Sequence, residues 1–597
     1  MTIDNIQLID SKYKDDSPIN TVNRIKIILN EYGIETIECW NDSGVPYCYS
    51  LRISVFGTNF GVNGKGVTEE LALASGYGEL MERLQLGKIF KGDEQKDGLL
   101  LPSFISDDYI SPSELLSKNN DLYSMYAVES EKITGTKITP DEILKQYVDY
   151  NGNIPVLSFY CVNSKKYEYI PTMLIHSVYS TNGCAAGNTM EEAIVQGISE
   201  IVERNVSTYI INNDIIVPDI PDDVLKNYKI SYEIISFLRE NGFKVTVKDC
   251  SLGKKYPVVC VCIIDKKTGK YYTHFGSYPK FEIALQRTLT ETFQNKQLNK
   301  FAKIVDFLPN KKLDINETIL QFVRGSTKRK PEFFTSSKFN GLCTGFKGTT
   351  NKELFKECIE YFNELGYELY IRNYSCFGFP TYQVIIPGYS EALLHRINPE
   401  HNDLNYYSYS LSVLRNPAKA SVKDIISFLK QYSNRRLAAG TFSKQINIPL
   451  QLNDNEQSYY NDAALAYMNY TLGRYNDVIF YLDRMIASNA CDNAEYLICI
   501  MRYLTLVKQK YSSDKIRNLL EYFHNQKTVD YIFNLIENKE NLLKDFILKC
   551  DTQCQNSCKL YNCCMKKQTD HLATIVNEKL RQIDLNSLKS DIEELLK

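Results

Sequence analysis

The segment 180–204, STNGCAAGNTMEEAIVQGISEIVER, constrains the fold of this chain more than any other. A turn-rich, glycine-bearing entry leads into a helical stretch that carries Glu192, Gln196, Glu200, Glu203 and Arg204. At about 100° per residue, the first four side chains fall within roughly an 80° arc of the helix. The intervening Ala193, Ile194, Val195, Ile198, Ile201 and Val202 are apolar. A helix of this kind is wrapped in core, so its acidic stripe faces an interior cleft. Carboxylates crowded in that way stay ionised only when cations join them. The stripe therefore points to metal ions.

A second segment, 66–84, repeats the theme. Thr68 precedes the apolar run as an N-cap, and the helix ends in Glu79, Glu82 and Arg83. Residues three apart share a helix face, so Glu79 and Glu82 are neighbours. The chain thus holds two E-x-x-E-R endings, Glu79/Glu82/Arg83 and Glu200/Glu203/Arg204. One copy alone reads as a solvated, salt-bridged helix end. Two copies in apolar helices with Gly/Asn-rich entries favour a site. All-oxygen donors select a hard cation, and Mg²⁺ typically bridges such acids to nucleotide phosphates. No G-x-x-x-x-G-K-[ST] loop is present, and the NGKG of 63–66 is too short for one, although it precedes a helix and offers amides to an anion.

The segments NGKGVTEELALASGYGELMER, YIPTMLIHSVYSTNGCAAGNTMEEAIVQGISEIVER and SLGKKYPVVCVCIIDKKTGKYYTHFGSYPKFEIALQRTLTE resemble the YcaO family, most of all its long, stand-alone bacterial members. The resemblance covers most of 1–450. It implies an α+β ATP-binding domain, helices on mostly antiparallel sheet, that phosphorylates a backbone amide oxygen so that a nucleophile can replace it. By the same resemblance, Glu79, Glu82, Glu200 and Glu203 are magnesium ligands. Asn188, Glu192, Gln196 and Arg204 stand near the nucleotide, Ser180 and Asn182 in the turn before it, and Arg287 near the phosphates with Glu291 one helical turn on. Lys14 and Thr21 align with a lysine and a hydroxyl that contact ATP; Lys12 replaces Lys14 if the register slips. Arg204 and Arg287 are the cations expected to stabilise charge on the transferred group. The chain departs from azoline-forming members, which end in a PxPxP tail: it ends in DIEELLK, with no proline after Pro449. The acid and base of the amide step are not legible, and neither is a leader-peptide clamp.

With 597 residues, 44% of them hydrophobic, and 27 Phe plus 43 Tyr, the chain has ample core for roughly two to four domains. A net charge of −3 gives no electrostatic reason for a nucleic-acid partner. No N-terminal signal pattern and no apolar run of membrane length is found, so the expectation is a cytoplasmic protein with no membrane association.

Two domains are expected. The first, 1–450, contains a helix from 21 to 32, strands within 47–56, a turn-rich insertion from 91 to 168 of little regular period, a helix over 232–241, strands at 244–249 and 257–265, and a helix over 281–297. The second, 456–597, is all-helical and begins with a tetratricopeptide-like hairpin that turns at Gly473. It reads either as a docking surface for a protein partner or as an appendage that covers the catalytic domain or a dimer interface. Near its end lie Cys550, Cys554, Cys558, Cys563 and Cys564. Their spacing suits zinc or an iron–sulfur cluster, matches no standard knuckle, and equally fits thiol chemistry or an inert helix face. Cys184, Cys260 and Cys262 read as small core residues, Cys184 being the one within the nucleotide-proximal turn. His176 and His274 fall in strand-like apolar contexts and read as core histidines.

Three functions follow. The first is an ATP- and Mg²⁺-dependent enzyme that activates a backbone amide or related carbonyl of a protein or peptide. The second, implied by the resemblance, is an accessory factor that supports methylthiolation of a ribosomal protein, with a partner supplying sulfur or substrate recognition. The third is an ATP-binding docking scaffold without turnover; retention of all four glutamates weakens it. Homodimerisation is implied by the resemblance alone.

Overall fold

The computed structural model describes residues 13–88, 106–148, 152–308, 328–391, 397, 413–434, 450, 452–488, 490, 494–548, 564–581 and 592. Up to residue 391 it is an α+β arrangement of three antiparallel sheets with helices between and outside them.

The first layer begins with α1 (Pro18–Glu31), followed by β1 (Thr36–Asn41), β2 (Tyr49–Val55) and β3 (Gly61–Gly66) in the order β1-β2-β3, and by α2 (Glu69–Gln85). Thr68 caps α2 by accepting a hydrogen bond from the Leu71 amide, satisfying one of the free N–H groups of the first turn. Ile25, Leu29, Leu51, Ile53, Leu80 and Leu84 close the core between these helices and the sheet.

The insertion is more regular than its sequence suggests. It forms β4 (Asp108–Ile110), α3 (Pro112–Thr134) and α4 (Pro140–Lys145), then β5 (Ile154–Cys161) and β6 (Lys166–Pro171). The buried face of α3 includes the polar Asn119 and Ser130, and Asn119 departs from helical geometry at φ −131°, ψ 34°. Polar residues on the inner face and a phase break at the kink erase the helical period that hydrophobic patterning would report.

β7 (Cys184–Ala186) leads into α5 (Met190–Asn212). α6 (Lys229–Glu240), β8 (Phe243–Asp249), β9 (Val258–Asp265), β10 (Tyr271–Ser277), α7 (Phe281–Thr292), α8 (Asn351–Glu364), β11 (Tyr370–Asn373) and β12 (Thr381–Ile385) follow. β10-β9-β8 form one sheet; β4-β5-β11-β12-β7 form another, with β6 added at β5. α5 runs between them, against β7, β9, β10, β12 and α8. Ala193, Ile194, Val195, Ile198 and Ile201 on α5 have no solvent exposure. α7 stops at Thr292, short of the expected 297, because Asn295 takes φ 54° and the Gln294 side chain and Asn295 amide bond to the first layer, at Asn63 O and Ser50 Oγ.

After α9 (Val422–Asn434), the described elements are helices: α10 (Asp454–Thr471), α11 (Tyr475–Ala487), α12 (Ala494–Lys508), α13 (Ser513–Phe523) and α14 (Gln526–Glu537) share one core. Gly473, at φ 67°, makes the α10–α11 turn. A further helix, α15 (Lys566–Arg581), leaves that core. Its Leu572, Val576 and Leu580 pack into the first layer with α1 and α2, and Lys579 Nζ lies 4.4 Å from the Tyr32 ring centre. Among the described residues, no helix is long and apolar enough to cross a membrane.

Candidate active site

The site begins with two glycines. A Cβ on Gly64 or Gly66 would run into the Ala72 backbone of α2, so only glycine lets β3 lie this close to the acid-bearing helix. Alternation along β3 then turns Lys65 to the opposite side, where its ammonium pairs with Glu291 of α7. α2 contributes Glu79, Glu82 and Arg83; α5 contributes Glu192, Gln196, Glu200, Glu203 and Arg204.

These elements enclose a cavity of about 370 Å³. Lys14, Thr21, Asn188, Glu192, Gln196, Arg204, Arg287 and the acids Glu79, Glu82, Glu200 and Glu203 all line it. At one end, the N-terminal segment is tied to the start of α5. Lys14 Nζ lies 2.8 Å from Glu192 Oε1, the Asp15 amide donates to Glu192 Oε2 at 3.1 Å, and Thr21 Oγ1 donates to Asn188 Oδ1 at 2.9 Å. Asn188 donates to Glu192 Oε2 from its amide nitrogen at 3.1 Å and its backbone at 3.3 Å. Burial pushes the Glu192 carboxyl up, but Lys14 and these donors outweigh it and hold the acid below the usual range.

The other end is the reverse. Arg83 sits 3.4 Å from Glu79 and 3.3 Å from Glu82, and Arg204 pairs with Glu200. Even so, burial pushes Glu82 up to about 8, against the pull of Arg83. Desolvation also raises Glu200 and Glu203, and Glu291 adds to the rise at Glu203. Glu291 is itself desolvated, yet Lys65 and His274 hold it well below the usual range. The Arg287 guanidinium and the Gln196 amide line the cavity with no ion pair or hydrogen bond to another described residue, so both are uncommitted donors.

The residues fit a hard cation by donor chemistry: of the four oxygen-donor acids, Glu82, Glu200 and Glu203 are raised by burial and gain from any charge that replaces a proton. Among the described residues, however, no three His, Cys, Asp or Glu side chains form a closed ligand group. An open carboxylate set suits an ion that keeps water and phosphate oxygens in its shell, as Mg²⁺ does.

Ser180 and Asn182 do not reach the cavity lining. Ser180 closes a π-helical turn (Ile175–Tyr179) with φ 55° and bonds its amide to Ile175 O. Asn182 is buried and donates to Ser390 O at 2.7 Å. Both shape the approach to α5, and the sequence did not separate them from cavity residues because the chain reverses between 180 and 188. His176 lies in that π-turn rather than in a strand, with Lys88 Nζ 2.5 Å from its Nδ1. Cys184 lines the cavity, and burial, followed by Glu82 and Glu200, pushes its thiol well up; it is a neutral, small wall residue. Cys550, Cys554, Cys558 and Cys563 lie outside the described residues, as does Lys12; Cys564 pairs with Leu450 in a β-bridge. Sequence reasoning missed the Lys65–Glu291 pair. Its signal was the alternating glycine pattern of β3, which leaves Lys65 as the one long side chain between two close-approach positions.

The family model described as YcaO cyclodehydratase, ATP- and Mg²⁺-binding, matches residues 63–390. The chain is 32% identical over 407 residues to the ribosomal protein S12 methylthiotransferase accessory factor YcaO of Escherichia coli K12, covering 63% of this chain and 66% of that one. It is 30% identical over 376 residues to an uncharacterized protein of Haemophilus influenzae, covering 59% and 58%. The chain thus spans less than two thirds of the length of these curated relatives. Among solved structures, it is similar to a heterocyclase in complex with substrate and cofactor (20% identity, TM-score 0.45, 63% of this chain and 53% of that one). It is also similar to YcaO from Methanopyrus kandleri bound with AMPPCP and Mg²⁺ (17% identity, TM-score 0.41, 66% and 96%). The matched span, 63–390, contains both E-x-x-E-R segments, the first in the last turns of α2 and the second within α5, which continues to Asn212, and Arg287; the chain belongs to the YcaO family.

Proposed function

We propose that this protein is an ATP- and Mg²⁺-dependent enzyme that phosphorylates a backbone amide, or a related carbonyl, of a protein or peptide substrate. The observation that carries this reading is the polarity of the cavity. At one end, Glu192 is fully served by Lys14, Asp15 and Asn188. At the other, acids are crowded beyond what Arg83 and Arg204 offset. Between them, Arg287 and Gln196 are uncommitted.

Glu79, Glu82, Glu200 and Glu203 would hold Mg²⁺, which offsets phosphate charge when bound. The protein's own residues do the rest. Lys14, Thr21 and Asn188 fix the N-terminal segment against α5, so that wall of the cavity is preset before the nucleotide arrives. Gln196 orients a polar group of the nucleotide by hydrogen bonding. Arg287 and Arg204 stabilise the negative charge that spreads over the transferred phosphoryl group. In that transfer, the amide oxygen forms a bond to the terminal phosphorus and the phosphoanhydride bond breaks, releasing ADP; an incoming nucleophile then expels phosphate from the activated carbon.

A second reading, an accessory factor for methylthiolation of a ribosomal protein, is favoured by the name of the E. coli relative. In that case, the α10–α14 helices serve as a tetratricopeptide-like docking surface for the partner. Titration calorimetry of ATP with and without Mg²⁺, followed by phosphate release, separates the readings. Mg²⁺-dependent binding with slow release supports the enzyme, and binding without release supports the accessory or scaffold roles. No binding sinks the nucleotide reading. Light scattering checks the proposed homodimer.

A further inference from the structure

Beyond Glu203, the cavity wall ends in one carboxylate held from two sides. Glu291 Oε2 pairs with Lys65 of β3, and Glu291 Oε1 lies 3.8 Å from Nε2 of His274 on β10. His274 is 8% exposed, and its ring lies nearly parallel to that of Tyr272, 6.2 Å away between centres. Neither of its ring nitrogens has a hydrogen-bond partner among the described residues. A buried imidazole kept for packing alone normally has at least one nitrogen satisfied. The distance to Glu291 is about 1 Å beyond a hydrogen bond, and such contacts are commonly long before substrate binds and shorten with it. The other charged and titratable groups near this carboxylate are Glu200 and Glu203 from α5, Lys65 from β3, and Lys296, whose ammonium lies 2.5 Å from Tyr272 Oη.

We propose that His274 is a positioning residue that orients Glu291 toward the cavity when Lys65 turns from Glu291 to the phosphates. The inference rests on the nucleotide reading above for its purpose, and on the paired geometry of β10 and α7 for its mechanism. Lys65 is the one of the two partners that lines the cavity, so an arriving phosphate competes for it. His274 lies behind Glu291 and stays in place.

The test uses the full chain with His274→Phe, which keeps the ring and removes the nitrogens, and His274→Gln, which keeps a donor of similar reach. His274→Leu replaces the first if the larger ring fails to fold. For Mg²⁺·ATP, His274→Phe is expected to weaken binding or turnover by about 10-fold, and His274→Gln to recover most of it, the usual scale for groups that orient a ligand-binding residue. Equal behaviour of both variants and wild type overturns the proposal. A nucleotide-free readout runs beside it: melting temperatures of His274→Phe, Glu291→Gln and the double variant. Coupled residues give a double-variant shift smaller than the sum of the single shifts; additive shifts overturn the proposal. If wild-type protein binds no ATP, the nucleotide reading falls, while the melting cycle still decides whether His274 acts through Glu291.

Discussion

Glu192 and Glu203 lie on the same face of the same helix, eleven residues apart, yet they live in opposite environments. Glu192 is 5% exposed and accepts hydrogen bonds from Lys14, Asp15 and Asn188, which outweigh its burial. Glu203 is driven the other way by desolvation and by Glu291 and Glu200. The protein completes the first acid with its own donors and leaves the second in deficit. The lesson is that an acidic stripe is not one environment: the chain supplies donors of its own to Glu192, and leaves Glu203 as an acid that would gain from a cation.

The sharpest way to break this comparison is to neutralise each acid in turn. Glu203→Gln is expected to lower Mg²⁺-dependent ATP turnover by at least about 100-fold, as loss of a charge-bearing group in a phosphoryl-transfer site does. The melting temperature should hold or rise, because a neutral amide replaces a crowded acid. Phosphate release and thermal unfolding together check it, and unchanged turnover would remove Glu203 from the site.

Glu192→Ala should show the opposite balance. It strands Asn188 and the Asp15 amide, at a cost of about 2 kcal/mol for unsatisfied buried groups. The Lys14 partner is 39% exposed, so its loss adds little after solvent screening. Faster proteolysis near residues 13–17 and a lower melting temperature are the expected signs.

A third acid, outside the cavity lining, sharpens the contrast by pH. Glu391 accepts from Tyr179 Oη and the Gly388 amide, both at 2.8 Å, and burial pushes it up to about 7. Its folded pKa lies above the ordinary carboxylate value, so the folded state binds the extra proton. Its contribution to stability is fully present at acid pH and is lost as pH rises from about 4.5 through 7. Glu391→Gln should flatten that slope by about 2 kcal/mol, after allowance for its partial exposure. Denaturation midpoints across pH 5–8 test it; a slope that stays as steep as wild type rules it out.

The smallest effect concerns what stands behind each acidic helix. α5 is enclosed by the central core, whereas α2 is backed by α15 from the far end of the chain. Val576→Ala should cost about 1 kcal/mol and raise hydrogen exchange in α2 but not in α5. Equal exchange in both helices would show that α15 does not brace α2.

Much of the fold was readable because its signals are local. Thr68 before an apolar run, the 3.6-residue spacing of Glu192, Gln196, Glu200 and Glu203, and the Gly473 turn each depend on neighbours within a few residues. α3 was illegible because its inner face carries Asn119 and Ser130 and its period slips at the kink. Ser180 and Asn182 sat close in sequence to cavity residues, but only the tertiary structure shows that they are not among the residues that line the cavity.

The sequence alone determined that two apolar helices each carry a pair of acids followed by an arginine, since residue type and helical spacing suffice for that; it misplaced the end of α5, which runs past Arg204 to Asn212. The tertiary structure decided which acids are served. Lys14 reaches Glu192 across 178 positions of chain, and Lys65 and His274 flank Glu291 from two different strands. Desolvation and ion pairing depend on what packs opposite a side chain, and no local pattern carries that information.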